Sequence, residues 1–540
     1  MTMDNRAGGP PPALGDLLAG PARRWPERPA IDDGTAHHTF AELEDGALRI
    51  AGWLAGQGVG PGDRVVVLTE TRTVMPMIIA GIWKRGATYV PVDAAEPLPR
   101  LRKLLDRLRP AAVVTPAGRE PVLPGVPMLD GEALVPLLAG PAAPHTTLAH
   151  GPGDAAYVVF ASGATGEPQG AEITAEGLRA HFAGHNEVLR LTPDSRALGL
   201  SPFHFDVSLL DTLLPLSVGA SVHQFRGLPA GAVLRSALAR QRVTHLFAVT
   251  LMLGLITDDG RHITREKLPA LDVVMTGAQV CPAPLLRIWA DGLPGLRLVQ
   301  AFGPPEATIF ALTHTVRPDD LADPAGGAGA EGAAPCPVGR PLPGVLAKLV
   351  RDGAEVHGPG AEGELWIGGP QVTRGYFDQP EETARLVVED GGTRWFRTGD
   401  LCAYDADGVL VLRRHADPRI TWLAGRRTHL YEIERAALSC PGVDGATAVA
   451  ARRAGRDTVA LAVAAKDRRT LRDLTEHLRG LLPAPLLPAA LVRTEPGREP
   501  DVPRLVRWLA DPDPRPSSPY FDMSADGAVE PFDGDDKEEQ

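Results

Sequence analysis

The residues between Val158 and Ala171 are of the types that handle phosphate. An apolar run, Val158-Val159-Phe160-Ala161, leads directly into Ser162-Gly163-Ala164-Thr165-Gly166-Glu167-Pro168-Gln169-Gly170-Ala171. Glycines at 163, 166 and 170 let the backbone bend tightly and bring N–H groups against phosphate oxygens, and Ser162 and Thr165 add hydroxyl donors. Taken alone, such a loop reads equally well as an ordinary surface turn, because short Gly-rich motifs are common. Thiol chemistry is less in view. The four cysteines, Cys281, Cys336, Cys402 and Cys440, are far apart and lack paired ligand spacing. That argues against a zinc site or a disulfide framework and suits a reducing cytoplasm.

The loop has company. Gln300-Ala301-Phe302-Gly303-Pro304-Pro305-Glu306-Ala307-Thr308 and Phe396-Arg397-Thr398-Gly399-Asp400-Leu401 follow it in order, after Thr39-Phe40-Ala41-Glu42-Leu43 and Trp83 to Asp93 have preceded it. Gly363-Glu364-Leu365-Trp366-Ile367, Arg374-Gly375-Tyr376, Arg414 to Asp417 and Ala424 to Glu434 complete the series. Jointly these segments resemble the adenylate-forming ligases, and within them the amino-acid adenylation domains of nonribosomal peptide synthetases. The resemblance covers about residues 13 to 505.

That resemblance implies a fold and a set of roles. The fold would be α/β: a large N-terminal domain of α/β subdomains with a small β-barrel-like part, then a small mobile C-terminal α+β domain. The implied division is a disordered leader at 1–12, an AMP-binding core at 13–412, a lid at 413–510 and an acidic disordered tail at 511–540. ATP would be held by Ser162, Gly163, Thr165, Gly166, Gly277, Ala278, Phe302, Gly303, Thr308, Asp400 and Arg414. Phe302 would stack on adenine, and Asp400 would accept from both ribose hydroxyls, as an ionised carboxylate can. Glu306 would hold Mg2+, for which a carboxylate is a natural hard ligand. Asp417 would be the hinge.

Phe203-His204-Phe205-Asp206-Val207-Ser208 resembles the segment in which an Asp faces the substrate's α-ammonium group. A buried carboxylate opposite a cation is favourable, whereas one facing a plain acyl chain is left unpaired. Asp206 also reads as the cap of a helix starting near Ser208. The family pattern places His204, Val207, Leu210, Phe247, Met275, Gly277, Ala301, Ile309 and Phe310 around the same substrate. The small or apolar wall implies an apolar amino-acid side chain.

Departures from the family pattern sit where phosphate is handled. Ala161 and Ala164 replace hydroxyl residues, and Gln169 stands where the family has a lysine. The C-terminal catalytic lysine falls within Glu495-Pro496-Gly497-Arg498-Glu499-Pro500-Asp501, at Arg498 or at Glu499 according to the direction of counting. An anion there would repel both reactants, and a planar guanidinium is not equivalent to a compact ammonium. Two readings follow. The chain activates an amino acid as its aminoacyl-adenylate with ATP and Mg2+, then passes the acyl group to a phosphopantetheine thiol on a separate carrier protein or to another nucleophile, in specialised-metabolite biosynthesis. Alternatively it is a degenerate or repurposed homologue that binds nucleotide or a partner protein without adenylation.

The elements that must position these residues show in the periodicity. Val65-Val66-Val67-Leu68, Ala112-Val113-Val114 and Leu271 to Met275 read as buried strands, and Leu98 to Leu108 as an amphipathic helix through Leu101, Leu104, Leu105 and Leu108. Such alternation predicts parallel sheets covered by helices. With 540 residues, more than one domain is expected. Apolar residues at 44% and charged residues at 23% are ordinary for a globular protein, while a net charge of −12 argues against a nucleic-acid partner. No apolar run is long enough to predict a membrane span.

Overall fold

The computed structural model describes residues 13–70, 72–119, 123–141, 146–161, 168–277, 279, 281–321, 337–423, 426–453, 456–465, 467–495, 500–511, 519–523 and 529–531. They fall into two compact units. The larger is drawn from Met1–Ala94, Arg109–Val159 and Ala171–Arg414, the smaller from Ala95–Leu108, Phe160–Gly170 and His415–Gln540.

The larger unit is built on sheets. One has nine strands in the order Arg340–Pro341, Leu312–Thr315, Arg297–Phe302, Val273–Thr276, His245–Phe247, Arg196–Gly199, Ser221–Gln224, Pro29–Asp32, His37–Thr39. Its middle is parallel from Arg297–Phe302 to Pro29–Asp32, with antiparallel strands at both ends. A second sheet of six strands runs Met128–Leu129, Ala112–Val114, Arg64–Thr69, Thr88–Asp93, Ala155–Ala161, Gln169–Thr174. Five of the six residues in Arg64–Thr69 are buried, as expected of a strand covered on both faces. The helix Phe40–Gly56 starts at a capping box. Thr39 Oγ1 accepts from Glu42 N–H at 3.2 Å and Thr39 N–H donates to Glu42 Oε2 at 2.8 Å. Thus Thr39 to Leu43 carries a local structural role of its own.

A third sheet is antiparallel. It orders Ala354–Val356, Leu346–Arg351, Glu362–Gly368, Thr393–Tyr404 and Val387–Asp390, with Leu410–His415 also on Thr393–Tyr404. Pairing between Glu362–Gly368 and Thr393–Tyr404 breaks register: Glu364 faces Leu401 while Trp366 faces Arg397. Thr398, Gly399 and Asp400 therefore bulge from the ladder opposite the single residue Leu365.

The smaller unit pairs Ile420–Leu423 with Arg426–His429 and orders a five-stranded sheet as Val443–Arg453, Arg456–Ala465, Ala490–Thr494, Tyr520–Met523, Val529–Pro531. The helix Leu98–Leu108 buries Leu101, Leu104, Leu105 and Leu108. The last two strands correct the expectation that everything beyond 510 is disordered. Tyr520–Met523 runs parallel to Ala490–Thr494, and Phe521 is buried edge-on against Trp508, ring centroids 4.9 Å apart. Phe521 also packs with Val492, Leu505 and Leu509, and Asp522 pairs with Arg468 and Arg493, which seats the strand although Pro and Asp surround it. Among the described residues no helix is long and apolar enough to cross a membrane.

Candidate functional site

Two buried carboxylates anchor the site in the larger unit. Glu306 lies in the short 3-10 turn Pro305–Ala307, only 2% exposed. Its Oε1 accepts from the Tyr376 hydroxyl at 2.7 Å, and its Oε2 has no hydrogen-bonding partner among the described residues. Asp206 lies just before the π-helix Leu209–Leu213. Its Oδ2 is likewise buried and unpartnered among the described residues. Burial, and then the nearby Glu306 charge, push the Asp206 carboxyl up to about 7, against backbone N–H groups of Val207 and Ile309 that pull it down. No side chain caps that π-helix, and the bare oxygen of Asp206 is not what a cap would leave.

The backbone between these acids is strained. Thr308 and Ile309 both have positive φ, 60° and 64°, in a region that β-branched residues rarely enter. Several bonds hold them there. Thr308 Oγ1 donates to Gln371 O at 2.5 Å, Thr373 N–H to Glu306 O at 2.7 Å, and His181 Nδ1 is 3.2 Å from Phe310 O. Such strain, beside two acids that each keep one bare oxygen, marks a candidate site.

An apolar wall surrounds them. Leu210, Met275, Ala301, Ile309 and Phe310 are almost fully buried and Phe247 nearly so, with the Phe247 and Phe310 rings 5.6 Å apart. Leu210, Phe247 and Met275 line one recess, along with Ala197, Val273 and Asp211. Gly277 must lack a side chain, since a Cβ there would stand 2.8 Å from Phe310 Cζ. Gly303 is as tight, with Ala311 N at 2.6 Å from the position of a Cβ. Val207 is half-buried against the same core, and His204 Nε2 lies 3.8 Å from Asp93 Oδ2.

Phe302 ends its strand half-buried and packs on a cluster that contains Ala307, Leu365 and Cys402. That cluster brings it to the sheet whose bulge carries Asp400. Asp400 is half-buried, its N–H on Thr398 Oγ1 at 3.0 Å, and Gly399 makes the turn with φ 71°. Arg414 is exposed on Leu410–His415. In the smaller unit Asp417 Oδ2 lies 3.0 Å from His429 Nε2. Ser162, Gly163, Thr165, Gly166, Ala278, Arg498 and Glu499 lie outside the described residues. Gln169 is buried on Gln169–Thr174, and its Nε2 has no partner among the described residues.

The donor set suits magnesium only in part. Glu306 offers a bare hard oxygen, but no group of three or more His, Cys, Asp or Glu among the described residues could hold a metal ion. A magnesium ion here would take the rest of its shell from phosphate and water, as is usual for this ion. Sequence reasoning passed over Tyr157, Tyr376, Gln371 and His181. Tyr376 ends Arg374-Gly375-Tyr376, and Tyr157 is a polar-tipped ring in an otherwise apolar strand, which is a signal in the sequence itself.

Comparison with known proteins accords with this geometry. The family model described as AMP-binding enzyme matches residues 18–377. Phenyloxazoline synthase MbtB of Mycolicibacterium paratuberculosis is 33% identical over 492 residues, 88% of this chain, which spans only 40% of that relative's length. The L-proline--[L-prolyl-carrier protein] ligase of Streptomyces coelicolor is 31% identical over 525 residues, 91% of this chain and 95% of the relative. The structure of PA1221, an NRPS protein containing adenylation and PCP domains, superposes with a TM-score of 0.79 at 25% identity, covering 93% of this chain and 98% of that one. The chain therefore belongs to the AMP-binding enzymes of the adenylate-forming superfamily, with the α/β fold of its adenylation domains.

Proposed function

We propose that the protein activates an amino acid with an apolar side chain as its aminoacyl-adenylate and then transfers the acyl group to a carrier-protein thiol or another nucleophile. The substrate carboxylate attacks the α-phosphorus of ATP, and pyrophosphate leaves. The incoming thiol then expels AMP and keeps the acyl group as a thioester. The observation that carries this reading is Asp206, a buried carboxylate with a bare oxygen at the edge of an apolar wall. Such a group calls for a cation, and the α-ammonium supplies one. Glu306 would hold magnesium, which when bound neutralises charge on the phosphates. Asp400 on its bulge would accept from the ribose hydroxyls, and Phe302 would lie on adenine. Relatives named as a carrier-protein ligase and as an adenylation–PCP protein support the acceptor.

A second reading, nucleotide binding without adenylation, is favoured by Gln169, an amide where the family has a cation. Amino-acid-dependent ATP–pyrophosphate exchange across a panel of amino acids decides between them. Exchange is expected with apolar members and is expected to fall roughly a hundredfold or more in Asp206→Asn, the cost of a buried ammonium without its counter-charge. Silence across the panel while calorimetry still records ATP binding would select the second reading.

A further inference from the structure

The apolar wall has a lower tier. His245 pairs with Val273 on one side and with Ala197 on the other, so these three stand in a row across the parallel sheet. Two residues further along, Phe247 pairs with Met275. Residues two apart on a strand point to the same face, so Phe247 and Met275 form an upper row roughly 7 Å from the first. Two residues beyond Met275 comes Gly277, where a Cβ would stand 2.8 Å from Phe310 Cζ. On that side the wall is closed. In the lower row Ala197 has only a methyl group to fill its place.

Both rows line a cavity of about 20 Å3, together with Leu210 and Asp211. That is room for about one water-sized group, or one methyl. The cavity lies one turn from the substrate acid, because Leu209 N–H donates to Asp206 O at 2.9 Å and Leu210 follows directly. Its polar lining is already occupied. Asp211 Oδ2 accepts from Leu200 N–H at 3.1 Å and Ser201 N–H at 2.8 Å, and its Oδ1 accepts from Thr212 Oγ1 at 2.9 Å. His245 Nε2 lies 3.1 Å from Leu189 O, and its Nδ1 lies 2.8 Å from Thr244 Oγ1. What the space still offers is apolar contact, which suits a carbon better than a water.

Leu210, Phe247 and Met275 thus belong both to the wall and to the cavity behind it. Of the three, Met275 is unbranched and has three rotatable bonds, so it turns aside most readily. We propose that this cavity is a terminal subsite for the substrate's side chain, entered past Met275, and that Val273 on its lower tier sets the length admitted. The inference rests on the amino-acid reading above and names the substrate class within it. A space for one methyl takes the slender end of an aliphatic chain and refuses an aromatic ring. One methylene more or less in such a pocket changes selectivity by roughly 10–200-fold.

The test changes the volume at Val273 in both directions. Val273→Ile adds a single carbon to the lower tier, and Val273→Ala clears space there. Isothermal titration would use AMP and sulfamoyl-adenosine conjugates of α-amino acids whose unbranched side chains lengthen stepwise, with an aromatic conjugate alongside. The length bound most tightly is expected to shorten in Val273→Ile and to lengthen in Val273→Ala. Affinity ratios between neighbouring lengths should move roughly tenfold or more, and AMP affinity should hold within about twofold. Thermal unfolding of ligand-free Val273→Ile is expected to give a Tm equal to or above that of the parent, because the added carbon enters empty space. An unmoved optimum, an equal loss at every length, a lowered Tm in Val273→Ile, or a parent that prefers the aromatic conjugate to every unbranched one overturns the proposal. Should Val273→Ala not fold, Val273→Ile decides alone. If the parent binds AMP but none of the conjugates, it is the amino-acid reading that has failed, and this inference goes with it.

Discussion

Glu306 and Tyr376 show how much of the site hangs on single atoms. Among the described residues the Tyr376 hydroxyl is the one donor to a carboxylate that is 2% exposed, and Oε2 already stands bare. Tyr376→Phe leaves a buried carboxylate with neither oxygen partnered among the described residues. The expected cost is about 1–3 kcal/mol of stability, read from denaturant unfolding. Nucleotide binding is also expected to depend more strongly on magnesium, read from titrations with and without the ion, because the ion becomes the remaining means of satisfying that carboxylate. Glu306 was legible from its motif, but the bond to Tyr376 was not. Seventy positions separate them, and nothing in either segment's pattern says that the ring will reach back. Asp206 was legible in the same limited way, as an acid in a known place whose bare oxygen only the folded chain displays.

At the scale of elements, the helix Ala175–Leu189 is an unexpected participant. It carries His181 and His185 one turn apart, both wholly buried, with ring centroids 4.1 Å apart. His181 meets Phe310 O, whereas neither ring nitrogen of His185 has a partner among the described residues. Burial penalises the cation and lowers both imidazoles, His181 to about 4 from an ordinary 6.5. Above pH 6.5 neither folded nor unfolded chain takes up the extra proton. Between 6.5 and 4 the unfolded chain does and the folded chain does not, so stability declines as acid is added, and for His181 the decline levels off below about 4. His185→Leu removes one of the two groups without breaking a hydrogen bond seen among the described residues. Its expected signature in scanning calorimetry is a Tm unchanged or raised at pH 7.5 and a shallower fall toward pH 5; a steeper fall would count against it. The strained Thr308–Ile309 pair and the Thr398–Asp400 bulge belong to this scale too. The Gly399 in the motif hinted at the second, while nothing in the residue types foretold the first.

For the whole molecule, the decisive feature is that each compact unit has a core of its own. The larger buries Val65, Ile78, Tyr157 and Phe310 in one cluster, and the smaller buries Leu461, Leu471, Leu474 and Leu478 in another. Leu474→Ala opens a cavity at a fully buried position in the smaller unit, at an expected cost of about 2–5 kcal/mol. Calorimetry is expected to show that loss in one transition while AMP binding, measured by titration, stays within about twofold of the parent. A parallel loss of AMP affinity would show instead that the two cores fold as one.

By itself the sequence determined the family, the order of the motifs, the main strands and the helix at Leu98–Leu108, because local runs of apolar and turn-forming residues act within a few positions along the chain. It also singled out Asp206 and Glu306, which the fold buries. Only the tertiary structure decided that Asp206 keeps a bare oxygen, that Tyr376 holds Glu306, and that Phe521 seats a strand in what read as an unfolded tail. Those are contacts between residues tens to hundreds of positions apart. Whether a polar atom finds a partner depends on which distant segment packs over it, and no periodicity in one dimension records that.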